Sequence, residues 1–102
     1  MSTTYAPRFS LTLPLRFRKA GDREWITAAT RNLSSSGVLF FTEQPLQPGT
    51  ELELEIVLNE ALALQASRIR ARGGVVRQTF EEGPGWLTAV QYTEYRLERT
   101  AS

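Results

Sequence analysis

Apolar and polar residues alternate with a period of two near the start of the chain. Leu11, Leu13, Leu15 and Phe17 occupy every second position, with polar or charged residues and one proline between them. Because successive side chains of a strand point to opposite faces, this pattern predicts a strand with one buried face. Pro14 has no N–H group to donate, so we expect this strand to lie at a sheet edge or to contain a bulge.

Further strands are predicted at short intervals along the chain. Similar patterning, interrupted by turns that contain glycine or proline, predicts five more strands at about 25–30, 38–41, 51–58, 66–76 and 86–92. Six short strands in 102 residues are typical of an all-β fold, either a small antiparallel β-barrel or a sandwich. Residues 93–102 are predicted to form one or two helical turns, which gives a short C-terminal helical tail.

Two of the predicted strands carry alternating charges of opposite sign. Glutamates occupy every second position of 51–55, and arginines occupy every second position of 68–72. A single antiparallel register pairs all of them, with Glu51 opposite Arg72, Glu53 opposite Arg70 and Glu55 opposite Arg68. We interpret these residues as a solvated charge ladder on the outer face of a hairpin rather than as a nucleic-acid-binding stripe, because such pairs help to fix strand register.

The composition narrows the possible functions. The chain has no cysteine and no histidine, which excludes disulfides and thiolate chemistry and removes the usual general base and the commonest metal ligand. We therefore expect no enzyme activity, no metal site and no cofactor. The net charge of +1 is too balanced for an obligate nucleic-acid-binding protein. Without a signal-peptide pattern or an apolar membrane span, a cytoplasmic location is expected.

The segment 30–41, TRNLSSSGVLFF, contains more small polar residues than a simple turn requires. Asn32, three serines and Gly37 separate two β-like stretches. One interpretation is structural: Asn and Ser form local hydrogen bonds to the backbone, and Gly37 adopts a positive φ. The other interpretation is a ligand site, in which short polar groups and a glycine allow a ligand to approach the backbone closely.

The sequence resembles the PilZ domain family, the bacterial receptor domains for cyclic di-GMP. That family has an N-terminal arm with an Arg-x-x-x-Arg motif and a later (Asp/Asn)-x-Ser-x-x-Gly turn. Asn32, Ser34 and Gly37 match the second motif, and Arg8 matches the second arginine of the first motif. The segments ARGGVVRQ and GWLTAVQY resemble the closing strands of the family, so that the likeness covers roughly residues 8–92.

The resemblance implies a fold and a function. It implies an N-terminal arm over 1–10 and a single PilZ-like barrel over 11–102. It implies a non-enzymatic receptor or adaptor in second-messenger signalling that binds cyclic di-GMP through Arg8, Asn32, Ser34 and Gly37 and acts on an unidentified protein effector, with neither nucleic acid nor membrane insertion. Thr4 stands where the family has its first arginine, which implies weakened affinity, and Ala89 stands where the family usually has a glycine.

Two alternatives remain open at this point. In the first, the chain is a degenerate PilZ domain that does not bind the nucleotide and acts only through protein–protein contacts. In the second, it is a small barrel that binds single-stranded nucleic acid by stacking bases on exposed aromatic rings. The candidate rings are Phe40, Phe41, Trp86 and Tyr92, although their positions favour a role in the core.

Overall fold

A computed structural model of the protein describes residues 11–58 and 66–99. They form six strands: β1 Pro14–Lys19, β2 Ile26–Leu33, β3 Gly37–Thr42, β4 Glu51–Val57, β5 Ala66–Glu81 and β6 Gly85–Arg99. All neighbouring strands are antiparallel and close into a barrel in the order β1-β2-β3-β6-β5-β4. The predicted all-β, six-stranded antiparallel barrel is therefore confirmed. The predicted N-terminal arm, 1–10, lies outside the described residues.

The period-two patterns fill the interior of the barrel. Leu15 and Phe17 of β1 are buried together with Leu52, Leu54 and Ile56 of β4, while the residues between them point outward or lie at the surface, except for the buried Glu55. Near the middle of the core the rings of Phe17 and Phe40 have centroids 5.1 Å apart. Burial of these alternating side chains is the main contribution to the stability of the fold.

The expectation that β1 is an edge strand or bulged is wrong. β1 pairs with β2 on one side and with β4 on the other, in continuous register on both sides. Pro14 is tolerated because it is the first residue of the strand, where its missing N–H interrupts no continuous ladder.

The predicted hairpin of residues 51–58 and 66–76 is present, but its predicted register is wrong by two residues. Glu53 lies opposite Arg72 rather than Arg70, Glu55 opposite Arg70, and Glu51 opposite Gly74. A shift of two leaves every side chain on its predicted face, since side chains alternate with a period of two. The register agrees with hydrogen bonds that join Val75 to Gly49 and Thr50, just before β4.

The predicted C-terminal helical tail is wrong over the residues that the structure describes. β6 continues to Arg99 and pairs with β5 along its whole length. A bulge at Thr93 shifts the alternation by one residue, so that Glu94, Arg96 and Glu98 share one face and Tyr95 and Leu97 share the other. Among the described residues there is no helix long and apolar enough to cross a membrane.

Candidate functional site

The turn between β2 and β3 is held together by Ser34. Its backbone N–H donates to the carbonyl oxygen of Gly37 at 3.0 Å. Its Oγ accepts hydrogen bonds from the backbone N–H groups of Ser36 and Gly37, at 3.1 and 3.2 Å. Ser34 therefore acts as a local cap that closes a four-residue turn.

Gly37 is required by close packing rather than by a positive φ. The described glycines with positive φ are Gly21, Gly49, Gly83 and Gly85, so the expectation of a positive φ at Gly37 is wrong. A Cβ atom on Gly37 would instead collide with the backbone carbonyl oxygen of Val90 in β6. The glycine lets the start of β3 lie directly against β6 beneath the turn.

Two bulges place two polar side chains in one row on the outer surface beside this turn. The β2–β3 register shifts between Thr30 and Asn32, and the β5–β6 register shifts between Val75 and Arg77. The resulting pairing aligns four residues across four neighbouring strands: Asn32, Leu39, Ala89 and Arg77. We call these four residues the Asn32–Arg77 row. Directly paired residues of antiparallel strands project from the same face, so the row forms one surface.

A shallow cavity lies along this row. Its volume is about 180 Å³, and the turn residues Ser34, Ser36 and Gly37 border it together with the row. Ala89 is only 8% exposed and lies between the two polar ends. The volume is below the roughly 300 Å³ of the smallest usual ligand pockets, so a nucleotide would lie on this surface rather than inside it.

The two polar ends of the row have no hydrogen-bonding or ionic partner within the part of the chain that the structure describes. Asn32 is half-buried and Arg77 is exposed. An amide and a guanidinium on one surface offer one acceptor and several donors to a polar ligand. Both groups can therefore bind a ligand without first breaking a contact within the described residues.

Most other arginines of the barrel are neutralised on a different surface. Across β1, β4, β5 and β6 ten charged side chains form what we call the ion-pair network: Arg16, Arg18, Glu53, Glu55, Arg68, Arg70, Arg72, Glu94, Arg96 and Glu98. In one row of the network the charges alternate in sign from strand to strand. Arg18 lies opposite Glu53, Glu53 opposite Arg72, and Arg72 opposite Glu94. Trp25 lies beside it, with the guanidinium carbons of Arg16 and Arg18 at 4.7 and 4.3 Å from its ring centroid.

Glu55 is the centre of this network. Its side chain is 6% exposed, and its carboxylate lies 2.7 Å from Arg16, 3.0 Å from Arg68 and 3.3 Å from Arg70. Burial alone would raise the pKa of Glu55, but the hydrogen bonds and charges of Arg16 and Arg68 outweigh it and hold the pKa below its ordinary value of 4.5. The carboxylate therefore remains ionised within the barrel wall.

A larger cavity, of about 460 Å³, lies over the ion-pair network. Each charged side chain that lines it already has a partner of opposite sign. A ligand would have to displace those partners before it gained any contact of its own. The smaller cavity along the Asn32–Arg77 row is therefore the better candidate, in spite of its size. No cluster of three metal-ligating side chains is present among the described residues.

Comparison with known families identifies the fold. The family model of the PilZ domain matches residues 4–100. The chain belongs to the PilZ domain family. PilZ domains form a family of cyclic di-GMP receptors, and they are non-enzymatic signalling domains. A search of curated protein sequences finds no match.

Solved structures with the same fold are distant in sequence. The Bacillus subtilis inhibitor of motility (MotI/DgrA) superposes with a TM-score of 0.76 at 19% identity, over 92% of this chain and 44% of that protein. The PilZ domain with c-di-GMP of YcgR from Escherichia coli superposes with a TM-score of 0.55 at 16% identity, over 94% of this chain and 78% of that one. The chain thus spans less than half the length of the Bacillus protein.

Three of the four site residues predicted from the sequence lie within the described residues. Asn32, Ser34 and Gly37 lie together around the β2–β3 turn, whereas Arg8 lies outside the described residues. Arg77, at the other end of the row, was not predicted. Its neighbour Val76 is the extra residue of a bulge, and a bulge leaves no signature in simple period-two alternation.

The aromatic residues considered as stacking platforms lie in different environments. Phe40 is fully buried in the core. Arg31 lies over the ring of Phe41 at 5.8 Å, and Trp86 packs edge-on against Phe80 with centroids 5.2 Å apart. Tyr92 packs against the core and beside Tyr95. These four rings are thus engaged with neighbouring side chains and do not form one open row.

Proposed function

We propose that this PilZ domain is a non-enzymatic receptor that binds cyclic di-GMP with weakened affinity and passes the signal to a protein effector. In this proposal residues 1–10 form an arm, residues 11–102 form the barrel, and the ligand lies on the surface of the Asn32–Arg77 row. The proposal also places the domain in the cytoplasm of a bacterium, where a soluble second messenger would reach it.

The observation that carries the proposal is the position of two polar side chains that have no partner among residues 11–58 and 66–99 and that border the cavity beside the PilZ turn. Asn32 and Arg77 lie at opposite ends of one row, over a floor made by Leu39 and Ala89. A guanidinium can pair with O6 and N7 of guanine through two hydrogen bonds, or hold a phosphate. The amide of Asn32 can bind the edge of a base. Ser34 and Gly37 would act by fixing the turn that presents Asn32.

The arm explains the expected weakness. Arg8 would bring one guanidinium to the ligand, but Thr4 offers neither a charge nor a bidentate fork where the family has its other arginine. One bidentate arginine contact is worth about 1–3 kcal/mol. Its absence corresponds to a loss of affinity of roughly 5- to 150-fold.

Calorimetric titration with cyclic di-GMP tests this function. We expect weak binding by the parent protein, binding about 5- to 150-fold tighter in Thr4→Arg, and binding at least about fivefold weaker in Arg77→Ala. Arg23→Ala is the matched control, because Arg23 is exposed and its side chain has no ion pair in the described residues; its affinity should equal that of the parent. Absence of binding in both the parent and Thr4→Arg would contradict the proposal.

One observation favours a second candidate, a PilZ domain that acts only through protein contacts. Ala89 places a methyl group on the floor of the cavity, and Oγ of Ser34 is already engaged inside its own turn. Both features reduce the number of contacts that this surface can make with a nucleotide. If Thr4→Arg restores no binding, this second candidate replaces the first.

A further inference from the structure

One edge of the C-terminal half of β6 has no paired strand among the described residues. β3 pairs with β6 only as far as Gln91, and the last hydrogen bond on that side runs from the N–H of Tyr92 to the carbonyl oxygen of Ser36. From Thr93 to Arg99 the strand is paired with β5 on its other side. No strand among residues 11–58 and 66–99 pairs with this second edge.

The same edge carries exposed apolar side chains. Tyr95 is 48% exposed and Leu97 is 55% exposed, although both lie on the same face as the buried Ala71 and Ile69 of β5. A long, regular edge strand with unpaired main-chain groups is a template for pairing with another strand. Natural proteins usually block such edges with bulges, prolines or charged side chains. Residues 94–99 contain no proline, and the charges of Glu94, Arg96 and Glu98 alternate in sign, so that a second strand with the same pattern can pair with them.

We propose that a second copy of this chain adds to this edge, so that two β6 strands pair antiparallel about a two-fold axis at Leu97. Closed two-fold pairing is the commonest symmetry of homo-oligomers. The two barrels then share one continuous sheet, and Leu97 lies opposite Leu97 of the partner subunit. The Leu97 side chains of the two copies then contact each other across the axis.

The charges of β6 select this register. With Leu97 on the axis, Arg96 of each copy lies opposite Glu98 of the partner subunit, which makes two pairs of opposite sign. With Arg96 on the axis, two arginines would oppose each other and Glu94 would oppose a glutamate, which is unfavourable. With Tyr95 on the axis, the end of the partner strand would run into the position where β3 pairs with Gln91.

Glu98 is compatible with this arrangement. Its carboxylate already lies near Arg68, Arg70 and Arg96 of its own chain, at 3.6, 3.2 and 3.3 Å. The side chain of Arg96 is 72% exposed and can turn towards the partner. The pairing extends the ion-pair network across the axis without burying an unpaired charge.

Sedimentation velocity over a range of concentrations tests the dimer. We expect the parent to approach twice its mass of 11.5 kDa as concentration rises. Leu97→Lys should raise the dimer dissociation constant by at least about tenfold, since it removes an apolar contact and opposes two like charges on the axis. Val57→Lys is the matched control, because Val57 is 41% exposed and lies on β4 away from the edge. A parent that stays monomeric, or a dimer equally sensitive to both changes, would overturn the proposal.

Disulfide trapping tests the register, because the chain has no cysteine of its own. Directly opposed strand residues have Cβ atoms about 4.5–5.5 Å apart, near enough for a disulfide after a small adjustment. We expect Leu97→Cys to give a covalent dimer at least about tenfold faster than Val57→Cys or Tyr95→Cys, given the proximity that pairing enforces. Faster trapping by Tyr95→Cys than by Leu97→Cys would overturn this register, and equal slow rates in all three would overturn the edge pairing.

Discussion

Two surfaces of this barrel carry arginines in contrasting environments. In the ion-pair network each arginine lies within 4 Å of a carboxylate, and the buried Glu55 alone contacts three of them. On the Asn32–Arg77 row, the arginine and the amide have no partner among the described residues. Charges that are already paired contribute to stability and strand register. A ligand can bind an unpaired charge without first breaking a contact within the protein. The row thus offers a cation for binding, whereas the cations of the ion-pair network maintain the fold.

The largest expected effect concerns the glycine that supports the row. Gly37→Ala would drive a Cβ atom into the carbonyl oxygen of Val90, and we expect the free energy of unfolding to fall by about 3 kcal/mol or more. Gly74→Ala is the matched control beside the ion-pair network, since its Cβ would meet only the oxygen of Thr50 at 4.0 Å. That change should be neutral or stabilising by up to about 1 kcal/mol. If chemical denaturation gives the same loss in the free energy of unfolding for both variants, close packing is not the reason for the glycine at position 37.

The next effect tests the network itself. Glu55→Gln removes the charge that three guanidinium groups share, and we expect a loss of about 2 kcal/mol in the free energy of unfolding. Glu94→Gln, which alters the exposed pair of Arg72 and Glu94, should cost less than about 0.5 kcal/mol. Equal, small effects in urea denaturation would mean that burial of Glu55 has no energetic consequence.

The pH dependence of stability should follow from the same carboxylate. The pKa of Glu55 is held below 4.5 in the folded protein by Arg16 and Arg68. Its contribution to stability is therefore fully present above about pH 4.5 and is lost as the pH falls through the lower, folded-state pKa. Denaturation curves between pH 6 and 2 should show a steeper acid loss in the parent than in Glu55→Gln. Parallel curves would contradict this assignment.

A smaller effect is expected at the PilZ turn. Ser34→Ala removes the acceptor of two backbone N–H groups, and we expect a loss of about 1 kcal/mol. Ser35→Ala changes an exposed neighbour in the same turn and should stay within about 0.5 kcal/mol of the parent. If the thermal midpoints of the two variants agree, Ser34 is not the residue that holds the turn.

The smallest stability effect should come from the row. Arg77→Ala removes an exposed side chain without an ionic partner in the described residues, so the free energy of unfolding should change by less than about 0.5 kcal/mol. Arg16→Ala, which takes one of three partners from Glu55, should cost more. A large loss in Arg77→Ala would assign Arg77 to the structural surface and remove the contrast on which the proposed function rests.

The sequence predicted the architecture better than its details. Alternation identified the strands and their buried faces, because a period of two depends on local geometry alone. The predicted register of β4 and β5 was wrong by two residues because opposite charges also attract each other diagonally across two strands. The 3.0 Å contact between Arg68 and Glu55 is an example of such a diagonal pair. The helical tail was mispredicted because the bulge at Thr93 separates the alternation of 94–98 from the strand before it.

Only the part of the candidate site that lies at the β2–β3 turn could be predicted from the sequence. The motif of Asn32, Ser34 and Gly37 is continuous in sequence and was found. Arg77 is distant in sequence and reaches the row through bulges in β2 and β5, whose positions depend on pairing between strands. A glycine is required at position 37 because the backbone there lies close to Val90, and this proximity likewise depends on which strands are neighbours.

In the proposed function, cyclic di-GMP binds the surface of the Asn32–Arg77 row and leaves the ion-pair network untouched. A titration of ¹⁵N-labelled protein with cyclic di-GMP, followed by two-dimensional NMR, tests it residue by residue. We expect shifts of the backbone amides at Asn32, Ser36, Gly37, Arg77 and Ala89, and unchanged amide positions for Glu53, Glu55 and Arg70. Shifts concentrated at Glu53, Glu55 and Arg70, or none at millimolar ligand, would contradict it.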